Sequence, residues 1–298
     1  MSAAHLAARV AAALQANRPL GPVLEALGID PSVRAEVAGG EPVGDALARA
    51  GLLPWIYAFA FEAGRPDVAT AIAHAQRHAQ NQKRRFVTVA RGGVLLALAT
   101  GFAVGVGVVF GLEPLREGIP HTALMGALDL LFSPPFALGA VLLAVLAGLG
   151  MGRLWRFTPG GARSLRALTT RSFALLLSAG LSAERAAQAA GDAFGAAAMR
   201  TASTRMSGGV EPGAALVTAR MAPKGCDHLW SATDGHGCAA LSQVADGLAT
   251  ALEAEAAALA PTLGRGLWGL FTVLAGALTV AYGTAMVQAW VELMRWPG

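Results

Sequence analysis

The amino-acid sequence predicts an all-α, polytopic membrane protein with three transmembrane helices and two repeated cytoplasmic helical-bundle domains. Three observations carry this. First, the 298 residues are 54% hydrophobic and 14% charged, with a mean hydropathy of +0.50, whereas a soluble globular domain carries roughly a quarter charged residues. Second, three uncharged stretches are long enough to cross about 30 Å of hydrocarbon as helices. Third, glycine- and proline-punctuated phrases of the first half return in the second.

In chain order, the N-terminal "MSAAHLAARVAAALQANRPL" reads as an alanine-rich amphipathic helix rather than a cleaved signal, because Arg9 interrupts its apolar part. The expected spans are "GGVLLALATGFAVGVGVVFGL" (92–112), "PPFALGAVLLAVLAGLGMG" (134–152) and "GLWGLFTVLAGALTVAYGTAMVQAWV" (266–291). Trp268 and Trp290 bracket the last one, where interfacial aromatics belong. In the first span, Gly101-x-x-x-Gly105 and Gly107-x-x-x-Gly111 put small residues on one helix face each, the spacing that lets helices approach closely in lipid.

Orientation follows from the cations. Lys83, Arg84, Arg85 and Arg91 precede the first span, and Arg153, Arg156, Arg163, Arg166 and Arg171 follow the second. The connector 113–133 holds Arg116 alone, against Glu113, Glu117 and Asp129. Residues 1–91 and 153–265 are therefore expected in the cytoplasm, with 113–133 and the tail 292–298 outside. Much of the formal charge of +4 lies beside the spans, where cations meet anionic headgroups, so nucleic acid is not an expected partner. Both cysteines, Cys226 and Cys238, face the reducing cytosol in this topology, and no disulfide is expected.

The two halves align. A shift of 169 carries Gly39, Gly40, Gly44, Leu47 and Pro54 onto Gly208, Gly209, Gly213, Leu216 and Pro223. Upstream, "LQANRPLGPVLEAL" (14–27) resembles "LSAGLSAERAAQAA" (177–190). Leu20, Val23, Leu24 and Leu27 share one helix face, as do Leu241, Val244, Leu248 and Leu252, with Gln243, Asp246, Thr250 and Glu253 opposite as a solvated face. No alternating run long enough for a strand is present. Each half reads as a small antiparallel helical bundle.

This order of helical half, span, short outer loop, span, second half and span resembles the type II secretion system F family, inner-membrane platform proteins of type II secretion and type IV pili. The phrases that carry the resemblance are "LLLSAGLSAERAA" (175–187), with Gly180, and the pair "GGEPVGDAL" and "GGVEPGAAL", with Gly44 and Gly213 and then Pro54 and Pro223. A third phrase places an acid and a glycine before a long helix: Glu62 and Gly64 in the first half, Asp234 and Gly237 in the second. An acid there is expected to accept backbone N–H groups and to complement the helix dipole. Asp234 replaces the family's glutamate, and Phe61 and Thr233 replace its preceding glycine. The resemblance implies a multi-pass protein of the bacterial inner membrane, N-terminus cytoplasmic and C-terminus periplasmic. It implies as partners a cytoplasmic hexameric secretion ATPase, other inner-membrane secretion components, pilin or pseudopilin subunits and further copies of the chain. It implies no catalytic residue and no cofactor.

Rival readings attach to the same residues. Cys226, His228, His236 and Cys238 are the side chains from which a zinc site would be assembled in a membrane enzyme or transporter subunit. One residue separates the members of each pair, where a zinc hairpin places about two to four. The stretch therefore reads as a loop with a half-buried cysteine and solvent-facing histidines. No phosphate-binding loop, zinc-protease or nucleophile-elbow pattern occurs, and no ionisable residue interrupts the spans, as one does in most transporters. A passive membrane scaffold is the remaining alternative.

Overall fold

The computed structural model describes residues 2–112, 126, 150, 152–223 and 225–295. The expected loop 113–133 and second span 134–152 lie outside the described residues, apart from Gly126, Gly150 and Gly152. Among the described residues the secondary structure is helical, with no strand.

The first half contains α1 (Ala3–Gln15), α2 (Leu20–Ala26), α3 (Pro31–Ala38), α4 (Val43–Arg49), α5 (Trp55–Glu62) and the long α6 (Pro66–Gly107), whose last turn widens into a π-helix at Val108–Leu112. A 3₁₀ turn at Trp155–Phe157 precedes α7 (Pro159–Ser178), α8 (Ala183–Phe194), α9 (Ala197–Ser207), α10 (Pro212–Thr218), α11 (Asp227–Ser231) and α12 (Gly237–Arg295). Local chemistry starts several of these. The Ser2 hydroxyl accepts the His5 N–H at the head of α1, and Ser182 does the same for Arg185 at α8. Asp30 caps α3 through the Ser32 N–H at 2.8 Å. Each such cap satisfies a backbone donor that the helix itself leaves unpaired.

The chain divides into two compact units. One comprises residues 1–82 and 159–258, the other 83–158 and 259–298. Both sequence halves contribute to each. In the first unit a single apolar core draws Leu24, Leu47, Ile56, Tyr57 and Ile72 from the first half and Phe173, Leu176, Met199, Leu216 and Trp230 from the second. Tyr57 is fully buried, and burial pushes its phenol above the ordinary value; its hydroxyl donates to Gln76 Oε1 at 2.7 Å. Of the expected apolar stripe on α2, Leu24 is buried while Leu20, Val23 and Leu27 are half-buried.

On α12, Leu241, Leu248 and Leu252 are buried. The opposite face is not simply solvated as expected. Asp246, Thr250 and Glu253 all bind the Arg171 guanidinium of α7: Nη2 donates to Thr250 Oγ1 at 2.9 Å and to Glu253 Oε2 at 3.2 Å, and Nη1 to Asp246 Oδ1. Burial works to lower the Arg171 pKa, but the bonds from Glu253 and Asp246 outweigh it and hold it above the ordinary value.

Two helices are long and apolar enough to cross a membrane, one covering Pro66–Phe110 and the other Gly237–Arg295. Their apolar portions fall in the second unit, where they pack in parallel and in register. A Cβ at Gly264 would stand 3.2 Å from Val89, one at Gly93 would stand 3.1 Å from the Trp268 Cα, and one at Gly107 would stand 2.5 Å from the Tyr282 hydroxyl. Each pair is offset by 175 positions, over 18 residues or about 27 Å of helix. Much of the remaining surface of these segments is exposed and apolar, including Leu95, Phe102, Phe110, Val273 and Val280.

Candidate functional site

Three places are candidates for function: the helix corners built from the repeated glycine and acid phrases, an open groove lined by α5 and α8, and the pair of long apolar helices.

At the second-half corner, α10 begins with Pro212, which has no N–H, so Gly213 supplies the first orphan donor. That N–H points at the Asp234 carboxylate, 2.8 Å away. A side chain at Gly213 would overlap both the Trp230 carbonyl and Asp234. Asp234 thus closes the start of α10, and this corrects the expectation that it caps the helix that follows it. The reason is in the turn itself: Gly235 and Gly237 both take φ of +78°, the left-handed region open to glycine, and they separate Asp234 from the body of α12.

The first-half corner has the same glycine approach and a different acid. A Cβ at Gly44, on α4, would stand 2.7 Å from the Ala58 Cα on α5. Ala58 lies four residues before Glu62, as Trp230 lies four before Asp234. Glu62, however, is the exposed last residue of α5, and it does not play the expected capping part. The chain turns at Gly64, with φ of +67°, and the acid in the first turn of α6 is Asp67. Asp67 pairs with Arg65 at 2.8 Å, and Arg65 also donates to the Ser178 carbonyl at the end of α7 at 3.3 Å. Sequence reading passed over Arg65 and Asp67, although "GRPD" holds a turn glycine, a helix-opening proline and an N-terminal acid. Pro54 immediately precedes α5, and Pro223 is buried shortly before α11. Gly180, with φ of +93°, ends α7.

The cysteine and histidine side chains of the second corner are not brought together. His228 Nδ1 lies 3.0 Å from the Gly225 carbonyl and His236 Nδ1 lies 3.1 Å from the Asp234 carbonyl, both exposed. Cys226 is half-buried and Cys238 exposed. Among the described residues no three His, Cys, Asp or Glu side chains gather in a metal-binding arrangement.

Between α5 and α8 runs an open groove of about 640 Å³, floored by Trp55, Phe59 and Ala189 and rimmed by Glu62, Arg185 and Asp192. Trp55 is 50% exposed and its ring lies 6.5 Å from that of Phe59. An aromatic floor with charges of both signs at the rim is suited to a protein surface, where half-exposed tryptophan makes a strong anchor.

In the long apolar helix pair, Gly107 makes a close approach to Tyr282. A Cβ at Gly101 meets nothing within 4 Å, and Gly105 is half-buried. Gly111 falls in the π-helical turn, and its side-chain surroundings lie outside the described residues. Gly93 and Gly264, absent from the glycine-spacing reading, provide the other close approaches. Trp268 and Trp290 are both about half exposed and stand about 33 Å apart along the helix, near the thickness of a hydrocarbon core.

No known protein-family model matches the chain. No curated protein matches it either.

Proposed function

We propose that the protein is a non-enzymatic platform of the bacterial inner membrane, serving a type II secretion or type IV pilus-like machine. In this reading it couples a cytoplasmic hexameric ATPase to the assembly of pilin or pseudopilin subunits. The observation that supports the reading is that each half ends in one long apolar helix and that the two pack in parallel.

The helices of the two halves follow the same shifts as the sequence. α4 and α10 are related by 169 at both ends, and α3 and α9 end at Ala38 and Ser207, again 169 apart. α1 and α7 end, and α2 and α8 begin, 163 apart. The corner glycines Gly44 and Gly213 approach matching places on the next helix. These coincidences support a duplicated unit.

The parallel packing supports the three-span topology. Two membrane helices pointing the same way require the chain to return between them, and 134–152 is the uncharged stretch available. The tail then lies in the periplasm. A stiff helical unit joined to two interlocked rods can transmit displacement from a soluble motor to subunits within the bilayer, and no group in that task needs to make or break a bond. The Trp55–Phe59 groove is the face offered to a soluble partner.

Co-purification with a hexameric secretion ATPase of the same organism tests the proposal. The tagged full chain is expected to retain the ATPase, and Trp55→Ala to reduce retention severalfold. A chain that retains none, in membranes containing the other inner-membrane components, returns the protein to the passive-scaffold reading.

A further inference from the structure

We propose that the segment 152–157 is an interfacial anchor that binds anionic phospholipid headgroups, with Leu154 and Phe157 entering the bilayer surface. The proposal rests on the reading that α6 and α12 span a membrane, and it assigns a specific lipid contact to the chain beside them.

Near the head of the apolar stretches the chain is rich in cations and empty of acids. Residues 83–90, 152–158 and 259–291 hold Lys83, Arg84, Arg85, Arg153, Arg156 and Arg265, and no Asp or Glu. Elsewhere in the chain Arg34, Arg49, Arg65, Arg163, Arg171, Arg200 and Arg295 each meet a carboxylate. A local cluster with no acid of its own must draw its counter-ions from elsewhere, and the charge this one complements is that of an anionic leaflet.

The three faces of segment 152–157 sort by chemistry. Residues 152–154 are helical and 155–157 form a 3₁₀ turn, so side chains three apart lie on the same side. Gly152 and Trp155 form the docked face: a Cβ at Gly152 would lie 3.4 Å from the Lys83 Cε, and the Trp155 ring sits 4.9 Å from that of Phe86, in a cluster that includes Ala90, Val94 and Ala260. Arg153 and Arg156 form a second face, both exposed. Leu154 and Phe157 form the third, 51% and 86% exposed. A fully presented phenylalanine beside two arginines, held against a membrane helix by a buried tryptophan, suits a phosphate-level surface with acyl chains beneath it. Phe86 precedes Arg91, the last cation before the uncharged stretch 92–112, by about 8 Å of helix, so the docked turn sits at headgroup level.

The test uses the full chain in a Cys226→Ser, Cys238→Ser background, reconstituted into vesicles of equal parts phosphatidylglycerol and phosphatidylcholine. An environment-sensitive dye on Phe157→Cys is expected to be quenched severalfold more by shallow-brominated lipid than the same dye on Val210→Cys, an exposed position of the other unit. The paired substitution Arg153→Gln, Arg156→Gln is expected to halve or more the phosphatidylglycerol retained through detergent purification and to leave retained phosphatidylcholine unchanged. Extraction of the chain by alkaline carbonate removes the membrane reading and this proposal with it. In a carbonate-resistant chain, an unquenched dye or unchanged lipid retention removes this proposal alone, and the cations then serve an acidic protein surface.

Discussion

The Gly213 N–H and the Asp234 carboxylate meet at 2.8 Å across 21 residues of chain, with the Trp230 carbonyl closing the space a Gly213 side chain would need. This contact makes the second-half corner intolerant of change. Gly213→Ala is expected to destabilise the protein by roughly 2–3 kcal/mol through overpacking. Gly44→Ala, where the Ala58 backbone intrudes less, should cost about 1–2 kcal/mol. Gly21, in α2 with nothing within 4 Å, is the control: Gly21→Ala should be neutral or stabilise by about 0.5 kcal/mol. Thermal unfolding of the detergent-solubilised variants gives the order.

The Arg171 cluster predicts a different loss. Arg171→Ala removes one cation from Asp246, Thr250 and Glu253 together, and is expected to cost about 1–2 kcal/mol, discounted for the exposure of Asp246. Arg171→Lys should recover little of this, because an ammonium cannot reproduce the planar fork that reaches three acceptors. Equal stability of the lysine variant and the parent would remove the geometric account.

Asp30 supplies a pH dependence. Bonds from the Ser32 hydroxyl and then the Ser32 N–H hold its carboxyl below the ordinary value of 3.8. The cap therefore contributes in full above that value and is lost as pH falls through the lower folded-state pKa. The difference in unfolding temperature between the parent and Asp30→Ala is expected to be constant from neutral pH to about pH 5. It should shrink in more acidic buffer; a gap that widens there contradicts the cap.

Register in the membrane pair is open to cross-linking. A Cβ at Gly264 would stand 3.2 Å from the Val89 Cβ, close to the disulfide range of about 3.5–4.5 Å. In the cysteine-free background, Val89→Cys with Gly264→Cys should oxidise within one chain. Gly101→Cys with Gly276→Cys, whose Cβ positions both meet open space, should not.

Topology gives the last prediction. Alkaline phosphatase fused after residue 295 is expected to be active and a green fluorescent protein dark, which places the tail in the periplasm. The reverse pattern would leave the parallel pair without a returning span.

The helices were legible where local signals suffice. "GGEPVGDAL" and "GGVEPGAAL" fall at the entries to α4 and α10, and the helical spacing of Leu241, Leu248 and Leu252 placed the buried face of α12. What stayed hidden depends on neighbours far along the chain. Asp234 serves a helix 21 positions back, and Arg171 reaches carboxylates 75 and 82 residues away, which turns a face read as solvated into a clamp. Glycine spacing along one span likewise named Gly101, because periodicity marks small residues without saying which of them has a partner. Gly93 and Gly264 answer to Trp268 and Val89, and those matches exist only once two distant segments lie side by side.

The Tyr282 ring over Gly107 works as a key in a slot. One turn back the slot is filled by Val104, which is buried against the same helix, so Tyr282 cannot slide that way without a collision. An axial push on one helix is therefore passed to the other at this contact.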